Sequence, residues 1–349
     1  MAGQWILQPD AFAASRFPTV LVTHPASRFD TYFGAQALAQ LRQFAKVRLN
    51  PGQDDLSGAA LVDAAQGCEV VIAYRQTPVS RDVLQALPKL RAVVRCAVDI
   101  RTIDVAAASQ AGVLVTQASA GFMASVSEWV VGVMIDLSRS ISAASFEYRS
   151  GGTATVRMGH ELRGATMGII GFGQISRYLC PLAQALGMRV VVTDPFATVE
   201  LPGVLQLKLE DLLSCADHVV CLAPATPETE NLMNAAAFGR MKPGALFVNA
   251  SRGNLVDEAA LLHALDSGHL GGAALDVGRA ADQMPSPALS RHPRVVATPH
   301  IGGLTPPAIE HQALETVTQT AAILQGRVPA GAVNAAHATR LGLPIEFST

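Results

Sequence analysis

A chain of 349 residues that is half hydrophobic and 15% charged has enough apolar material for two cores of ordinary size, which excludes broad disorder. A net charge of −2 and a pI near 6.5 give no electrostatic reason for nucleic acid or an anionic membrane as partner. The five cysteines (Cys68, Cys96, Cys180, Cys215, Cys221) are odd in number and form no C-x-x-C pair, so they read as reduced, mostly buried thiols of a cytoplasmic protein.

The chain starts MAGQWILQPDAFAASRF, without the basic start and continuous apolar run of a signal peptide. Short Val- and Ile-rich runs then alternate with helix-like spacers. TVLVTH, AKVRLN, EVVIAY, RAVVRC and GVLVTQ are the strand candidates of the first third, with residues 36–44 as one helical spacer. The polar, glycine-bearing QASAGFMAS, residues 117–125, is a candidate hinge. Residues 124–137 are apolar but contain Glu128 and Asp136, with Arg139 close behind, which fits a buried helix better than a membrane span. TMGIIG, RVVVTD, HVVCLA, ALFVNA, GAALDV and RVVATP follow as strands, with residues 259–265 as a helical spacer. PHIGGLTPPA, residues 299–308, is a second hinge, whose Gly302-Gly303 and Pro306-Pro307 punctuate the last strand before a final helix near 309–325. Eleven strands with helical spacers predict an α/β fold of parallel sheets covered on both faces, in two sheets rather than one.

The first chemical motif lies in MGIIGFGQIS. Gly171, Gly173 and Ser176 form G-x-G-x-x-S between a strand and a helix that opens at Gln174, with Phe172 and Ile175 in the same loop. Glycine at 171 permits a tight turn, and glycine at 173 lets the backbone approach a pyrophosphate at the helix N-terminus. Ser176 is small enough for close helix–strand packing. Pro181 falls inside this helix and predicts a kink or an unpaired carbonyl. The next strand ends in Asp194-Pro195, where a carboxylate accepts ribose hydroxyls and repels a 2′-phosphate; no arginine follows directly, which favours NAD over NADP. Ser251, Arg252, Asp276 and His300 stand just beyond later strands, at the end where such sheets bind ligands. Arginine suits a carboxylate or carbonyl through its forked donors, and histidine suits the proton that accompanies hydride transfer.

Through these segments the chain resembles the D-isomer-specific 2-hydroxyacid dehydrogenase family, over roughly residues 65–335. The resemblance rests on the phosphate loop, LAPATPETENLMN, NASRGNLVDEAAL, GAALDV and TPHIGG, in the family's order and spacing. It implies two doubly wound parallel-sheet domains, with a Rossmann nucleotide-binding domain (119–305) inserted into a flavodoxin-like substrate domain (1–118 and 306–349). It also implies a homodimer. By position it makes Arg252 the anchor for the substrate carboxylate and carbonyl and His300 the acid/base. Ala223, Pro224, Thr229, Ala250, Ser251, Asp276 and Gly303 then line the NAD site with the phosphate loop, Asp276 lying near the nicotinamide carboxamide.

The sequence departs from the family pattern in two places. The family holds its histidine with a glutamate five residues after the aspartate of LDV; here that position is Ala281, with Asp282 beside it. Asp282 is either the replacement partner or a solvated loop carboxylate. Without a carboxylate the histidine's proton affinity falls towards the ~6.5 of free imidazole, and keto-acid reduction weakens above neutrality. In the first domain the family's G-x-G-x-D-x-I-D loop reads CAVDIRTID, which puts Asp99 in place of the second glycine and Arg101 in place of the aspartate. Amides at Val98 and Asp99 remain available to a substrate. The Asp99 side chain either pairs with Arg101, selects a hydroxylated or cationic substrate, or stands in for the missing glutamate. Arg75, in AYRQTPVS, is one position from arginines that bind phosphate in some phosphoglycerate dehydrogenases, and reads as substrate contact or plain surface charge. The chain ends without the regulatory domain often appended to serine-pathway enzymes, so phosphoglycerate is not the favoured substrate. His24 reads as structural, and His160, His218, His263 and His269 as surface or cap residues. No cluster has metal-ligand spacing, and Ser251 lacks a G-x-S-x-G elbow. The leading expectation is an NAD-dependent dehydrogenase or reductase of a small 2-hydroxy or 2-keto acid. The alternatives are an NADH-sensing protein with weakened catalysis and a dehydrogenase of an unusual substrate.

Overall fold

The computed structural model describes residues 17–342, except for the side chain of Asp282. The stretch read for a signal peptide falls almost wholly outside the described residues. The chain divides into two compact units, Met1–Gly121 with Pro306–Thr349, and Phe122–Thr305.

The first unit is built on five parallel strands: β1 (Thr19–Val22), β2 (Lys46–Leu49), β3 (Val70–Ala73), β4 (Ala92–Arg95) and β5 (Leu114–Gln117). Their order is β2-β1-β3-β4-β5, the flavodoxin-like arrangement. β3 and β4 are buried along their whole length because helices cover both faces, which explains their unbroken apolar runs. Val20 and Val22 join one core with Phe33, Leu41 and Val317, while Leu21 joins the other with Leu61, Leu84 and Ala107. Beyond the strand ends, Tyr74 N–H donates to Thr23 Oγ1 at 2.8 Å, and Thr23 and Thr77 hydroxyls meet at 2.7 Å. The fully buried Arg95 donates to the carbonyls of Tyr74 and Thr77 and to Thr102 Oγ1.

The second unit carries seven parallel strands: β6 (Thr166–Ile170), β7 (Arg189–Thr193), β8 (Val204–Gln206), β9 (His218–Cys221), β10 (Leu246–Asn249), β11 (Gly272–Leu275) and β12 (Val295–Ala297). Their order is β12-β11-β10-β9-β6-β7-β8, the Rossmann order with one strand added. One face packs Ile170, Val219, Phe247 and Leu275, and the other packs Met167, Ile169, Val192 and Val248.

Several expectations need correction. The described residues hold twelve strands rather than eleven. β8 has three residues and buries only Val204, so it offers no apolar run to read. The spacer at 36–44 is the helix Gly34–Leu41, preceded by another at Ala26–Tyr32. The last helix begins at Pro306 rather than near 309 and ends at Leu324, because proline's missing N–H costs nothing in a helix's first turn. The helix Met123–Arg139 buries only one face, through Val126, Val130, Val133 and Met134, and leaves Ile135 exposed. Among the described residues no helix is long and apolar enough to cross a membrane. The helix Gln174–Ala185 runs on through Pro181.

His218 is not a surface residue: it opens β9 and is buried. Desolvation lowers its pKa to about 4 against the opposing pull of Asp217. His24 is 1% exposed and lies between the rings of Phe33 and Tyr74. Desolvation, then the charge of Arg95, lowers its pKa to about 3. The unfolded chain therefore binds a proton at His24 that the fold refuses. The stability tied to this neutral histidine is complete above about pH 6.5 and is lost as pH falls towards 3. Between pH 7 and pH 5 this one group removes about 2 kcal/mol. Urea unfolding at the two pH values is expected to show that loss in the parent and a correspondingly smaller loss in His24→Phe.

Candidate active site

The ends of β6 and β9 meet where the strand order of the second unit reverses. Gly171 has φ +96°, and a Cβ there would come within 2.8 Å of the Ala223 backbone, so only glycine fits. Gly173 caps the helix Gln174–Ala185, and a Cβ added to it would meet nothing within 4 Å. That open space at a helix N-terminus is what a phosphate group needs. Ser176 is fully buried and donates its hydroxyl to the Gly171 carbonyl at 2.6 Å. The serine that replaces the third glycine thus locks the loop it follows.

Asp194, at the end of β7, accepts from Phe172 N–H at 2.7 Å through Oδ2, and from Phe196 and Ala197 N–H at 2.8 and 2.9 Å through Oδ1. Partial burial opposes its charge, but these three donors and the nearby Arg177 hold the carboxyl below the usual range. Past β9, Thr229 Oγ1 donates to the Pro224 carbonyl at 2.8 Å and closes a capping box with Thr226.

At the end of β10, the buried Asn249 accepts from Ser251 N–H at 3.1 Å and donates to the Arg252 carbonyl at 3.0 Å. Ser251 Oγ donates to the Ala223 carbonyl, and Arg252 Nη1 donates to the Ser251 carbonyl at 2.8 Å. Asn249 thus shapes the turn that holds Ala250, Ser251 and Arg252. Asn249 is not among the candidates drawn from the sequence motifs, although a polar residue closing the apolar run of FVN is a visible signal.

Asp276, buried beyond β11, accepts three hydrogen bonds from the loop after β12. Thr298 Oγ1 and Ile301 N–H reach Oδ1 at 2.6 and 2.8 Å, and Gly302 N–H reaches Oδ2 at 2.7 Å. These donors flank His300, which is part-buried with φ +56° and donates its backbone N–H to the Thr298 carbonyl at 2.9 Å. A non-glycine residue holds such a φ only where its surroundings fix it. A Cβ at Gly302 would come within 2.8 Å of Asp276 Oδ2, and Gly303 packs against Phe122.

Between β11 and β12 the chain makes a tight loop. Gly278 N–H donates to the Gln283 carbonyl at 2.7 Å, and Ala281–Gln283 form one 3₁₀ turn. Ala281, at the position of the family's glutamate, is exposed and carries only a methyl group. The Asp282 side chain lies outside the described residues. Arg279 pins this loop in place. It donates to Glu230 Oε1 at 2.8 Å, Asn231 Oδ1 at 2.6 Å, and the carbonyls of Asn254 and Val256 at 3.0 and 3.2 Å. Its N–H also reaches Glu258. Nothing in the spacing of the sequence pointed to Arg279.

The second unit therefore brings the phosphate loop, Asp194, Ala223, Arg252, Asp276 and His300 to the C-terminal ends of one sheet. Arg75, Val98 and Asp99 lie in the first unit, beyond β3 and β4. Asp99 pairs with Arg101: Nε meets both carboxylate oxygens at 3.1 and 3.0 Å, Nη2 meets Oδ2 at 2.7 Å, and the Arg101 N–H adds a fourth bond. The two departures from the family loop are thus one local pair. The Arg75 guanidinium sits 5.9 Å from the centre of the Tyr32 ring. Among the described residues no group of three or more His, Cys, Asp or Glu side chains is placed to hold a metal ion.

Residues 131–302 match the family model described as D-isomer specific 2-hydroxyacid dehydrogenase, NAD binding domain. The chain is 36% identical over 288 residues to D-3-phosphoglycerate dehydrogenase of Rattus norvegicus, covering 81% of this chain and 54% of the rat protein. It thus spans about half the length of the curated relatives it matches first. It is 38% identical over 256 residues to (S)-sulfolactate dehydrogenase of Chromohalobacter salexigens, covering 71% of this chain and 82% of that protein. Among solved structures, TT0316 protein from Thermus thermophilus superposes with a TM-score of 0.81 at 31% identity, over 90% of this chain and 99% of that one.

The clamp on the His300 loop makes a direct prediction. In Asp276→Ala the amides of Ile301 and Gly302 lose their acceptor, a loss of about 1–3 kcal/mol each. Native-state hydrogen exchange is expected to show these two amides opening at least about tenfold faster, with amides of β6 and β9 little changed.

Proposed function

The chain belongs to the D-isomer-specific 2-hydroxyacid dehydrogenase family, and from this premise we propose that it is an NAD-dependent oxidoreductase of a small D-2-hydroxy or 2-keto acid. The unit Phe122–Thr305 would be its nucleotide-binding domain and the other unit its substrate domain. The phosphate loop from Gly171 to Ser176 would hold the pyrophosphate, and Asp194 a ribose hydroxyl. Pro195, Ala223, Pro224, Thr229, Ala250, Ser251, Asp276 and Gly303 would complete the wall. The room left beside Gly173 fits that group. When bound, NAD supplies hydride exchange at C4 of its nicotinamide.

The rest of the chemistry belongs to the protein. The Arg252 guanidinium anchors the substrate carboxylate and draws electron density from the C2 carbonyl through its forked donors. His300 gives the C2 oxygen its proton in reduction and takes it back in oxidation. Val98 and Asp99 amides and Arg75 would meet the substrate from the first unit. The observation that carries the reading is that two polar residues, Asn249 and Asp276, fix the Arg252 turn and the His300 loop at neighbouring strand ends. Such preorganisation is what acid–base and electrostatic catalysis require. Ala281 favours a second reading, a protein that binds NADH and turns over weakly.

NADH oxidation against a panel of 2-keto acids at several pH values separates the two. The panel spans glyoxylate, pyruvate, hydroxypyruvate, and branched, aromatic and cationic members. We expect turnover of at least one member, falling as pH rises past neutrality and reduced roughly 10²-fold or more in Arg252→Ala. Tight NADH binding with no turnover would favour the sensor. An Asp282→Ala profile identical to the parent's would remove Asp282 as the histidine's partner.

A homodimer in the reducing cytosol completes the proposal. The helix Ile141–Arg149 buries none of its residues, and Phe146 and Tyr148 are 71% and 63% exposed. Glu147 holds the following segment through Thr155 N–H and Arg157, leaving Val156 and Met158 almost fully exposed. An ordered apolar patch of this kind supports a covering second copy. Light scattering is expected to give a dimer for the parent and a monomer for Phe146→Glu.

A further inference from the structure

The absence of an arginine directly after Asp194 favours NAD over NADP in the sequence. The fold brings one from the opposite side. Arg177, in the first turn of the helix Gln174–Ala185, stacks over the Phe172 ring with its guanidinium carbon 4.2 Å from the ring centre. The N–H of the same Phe172 donates to Asp194 Oδ2 at 2.7 Å, so Arg177 and Asp194 flank one residue. The charge of Arg177 is among those that act on Asp194. Among the described residues the Arg177 side chain donates no hydrogen bond, and the residue is exposed. Its donors are therefore open to a ligand, while the ring beneath holds the guanidinium in place.

Asp194 is less available to a ribose than its position alone implies. Oδ1 already accepts two backbone N–H groups and Oδ2 one. With about two acceptor sites per oxygen, one site remains, enough for a single hydroxyl rather than a bidentate grip on two. Residues 195–206 contain no lysine, arginine or histidine, so the loop after β7 offers no competing cation.

Resting on the dinucleotide reading above, we propose that Arg177 forms a phosphate-accepting position beside Asp194, so that the site takes the 2′-phosphate of NADP(H) as well as the free ribose of NAD(H), holding NAD(H) more tightly. Arg177 supplies the charge-assisted donors for the phosphate, and the repulsion from Asp194 leaves NAD(H) ahead.

Calorimetric titration of 5′-AMP and 2′,5′-ADP tests this without turnover, because the two probes differ only in the 2′-phosphate. The full chain should bind 2′,5′-ADP within about tenfold of 5′-AMP, and more weakly as salt rises. Arg177→Gln should widen the ratio of the two dissociation constants by about tenfold. Arg177→Lys, which keeps the charge but not the planar stack, should recover most of that loss, and Asp194→Asn should narrow the ratio. An unchanged ratio in Arg177→Gln, or refusal of 2′,5′-ADP by a parent that binds 5′-AMP, overturns the role of Arg177 and leaves the dinucleotide site standing. Failure of the parent to bind either probe overturns the dinucleotide reading itself, and this inference with it. Equal weakening of both probes in Arg177→Gln marks Arg177 as mere support for Phe172, and also overturns the proposal.

Discussion

One buried carboxylate fixes the geometry on which the proposed chemistry depends. Asp276 sits at 4% exposure, where an unpartnered carboxylate is costly. The Thr298 hydroxyl and the N–H groups of Ile301 and Gly302 supply the missing solvation. The dependence runs both ways, because those two amides have no ladder partner once β12 has ended at Ala297 and would otherwise be orphaned. Satisfying both sides leaves the chain one course through Pro299 and His300, and it puts His300 in the left-handed region. Gly302 completes the arrangement, since any side chain there would meet Asp276 Oδ2.

The same device recurs along the sheet. At the ends of β7 and β10 Asp194 and Asn249 turn back on the loop beyond, and Asp276 after β11 reaches the loop that follows the neighbouring β12; each accepts backbone N–H groups released where pairing stops. Parallel strands end in such orphaned amides, and a short acceptor placed there converts a loose exit into a fixed loop. Ser176 does the equivalent for the phosphate loop by donating to Gly171. Rigid loops on a rigid sheet are what a site needs when angstrom-scale misplacement costs rate.

The departures from the family pattern read differently once side chains are placed. Asp99 and Arg101 replace a glycine and an aspartate, yet they pair with each other over two residues, so the negative charge that looked out of place is answered locally. An exposed pair of this kind contributes little stability, but it settles where the Asp99 carboxylate points. Ala281 has no such compensation in its own side chain. The loop that carries it is held by Arg279, whose five hydrogen bonds reach Glu230, Asn231, Asn254, Val256 and Glu258. That loop keeps its shape without the glutamate.

Much of the architecture was legible because it depends on local composition. Runs such as VVIA and FVN mark strands buried on both faces, and the glycine spacing at 171 and 173 marks a turn whose steric demand is local. β8 escaped because a three-residue edge strand with one inward side chain carries no periodic signal. The first turn of the last helix escaped because its two prolines look like breakers until their position at the start is known. The family needed only motifs in order; the sequence by itself determined which residues stand at the strand ends. Which of them meet was decided by tertiary structure alone. Asp276 finds donors 22 to 26 residues away, Arg279 finds acceptors up to 49 residues away, and Arg177 comes to Asp194 from another strand's helix. Such partnerships follow from strand order and register, which bring distant loops to one edge of a sheet, and no local preference of the chain encodes them.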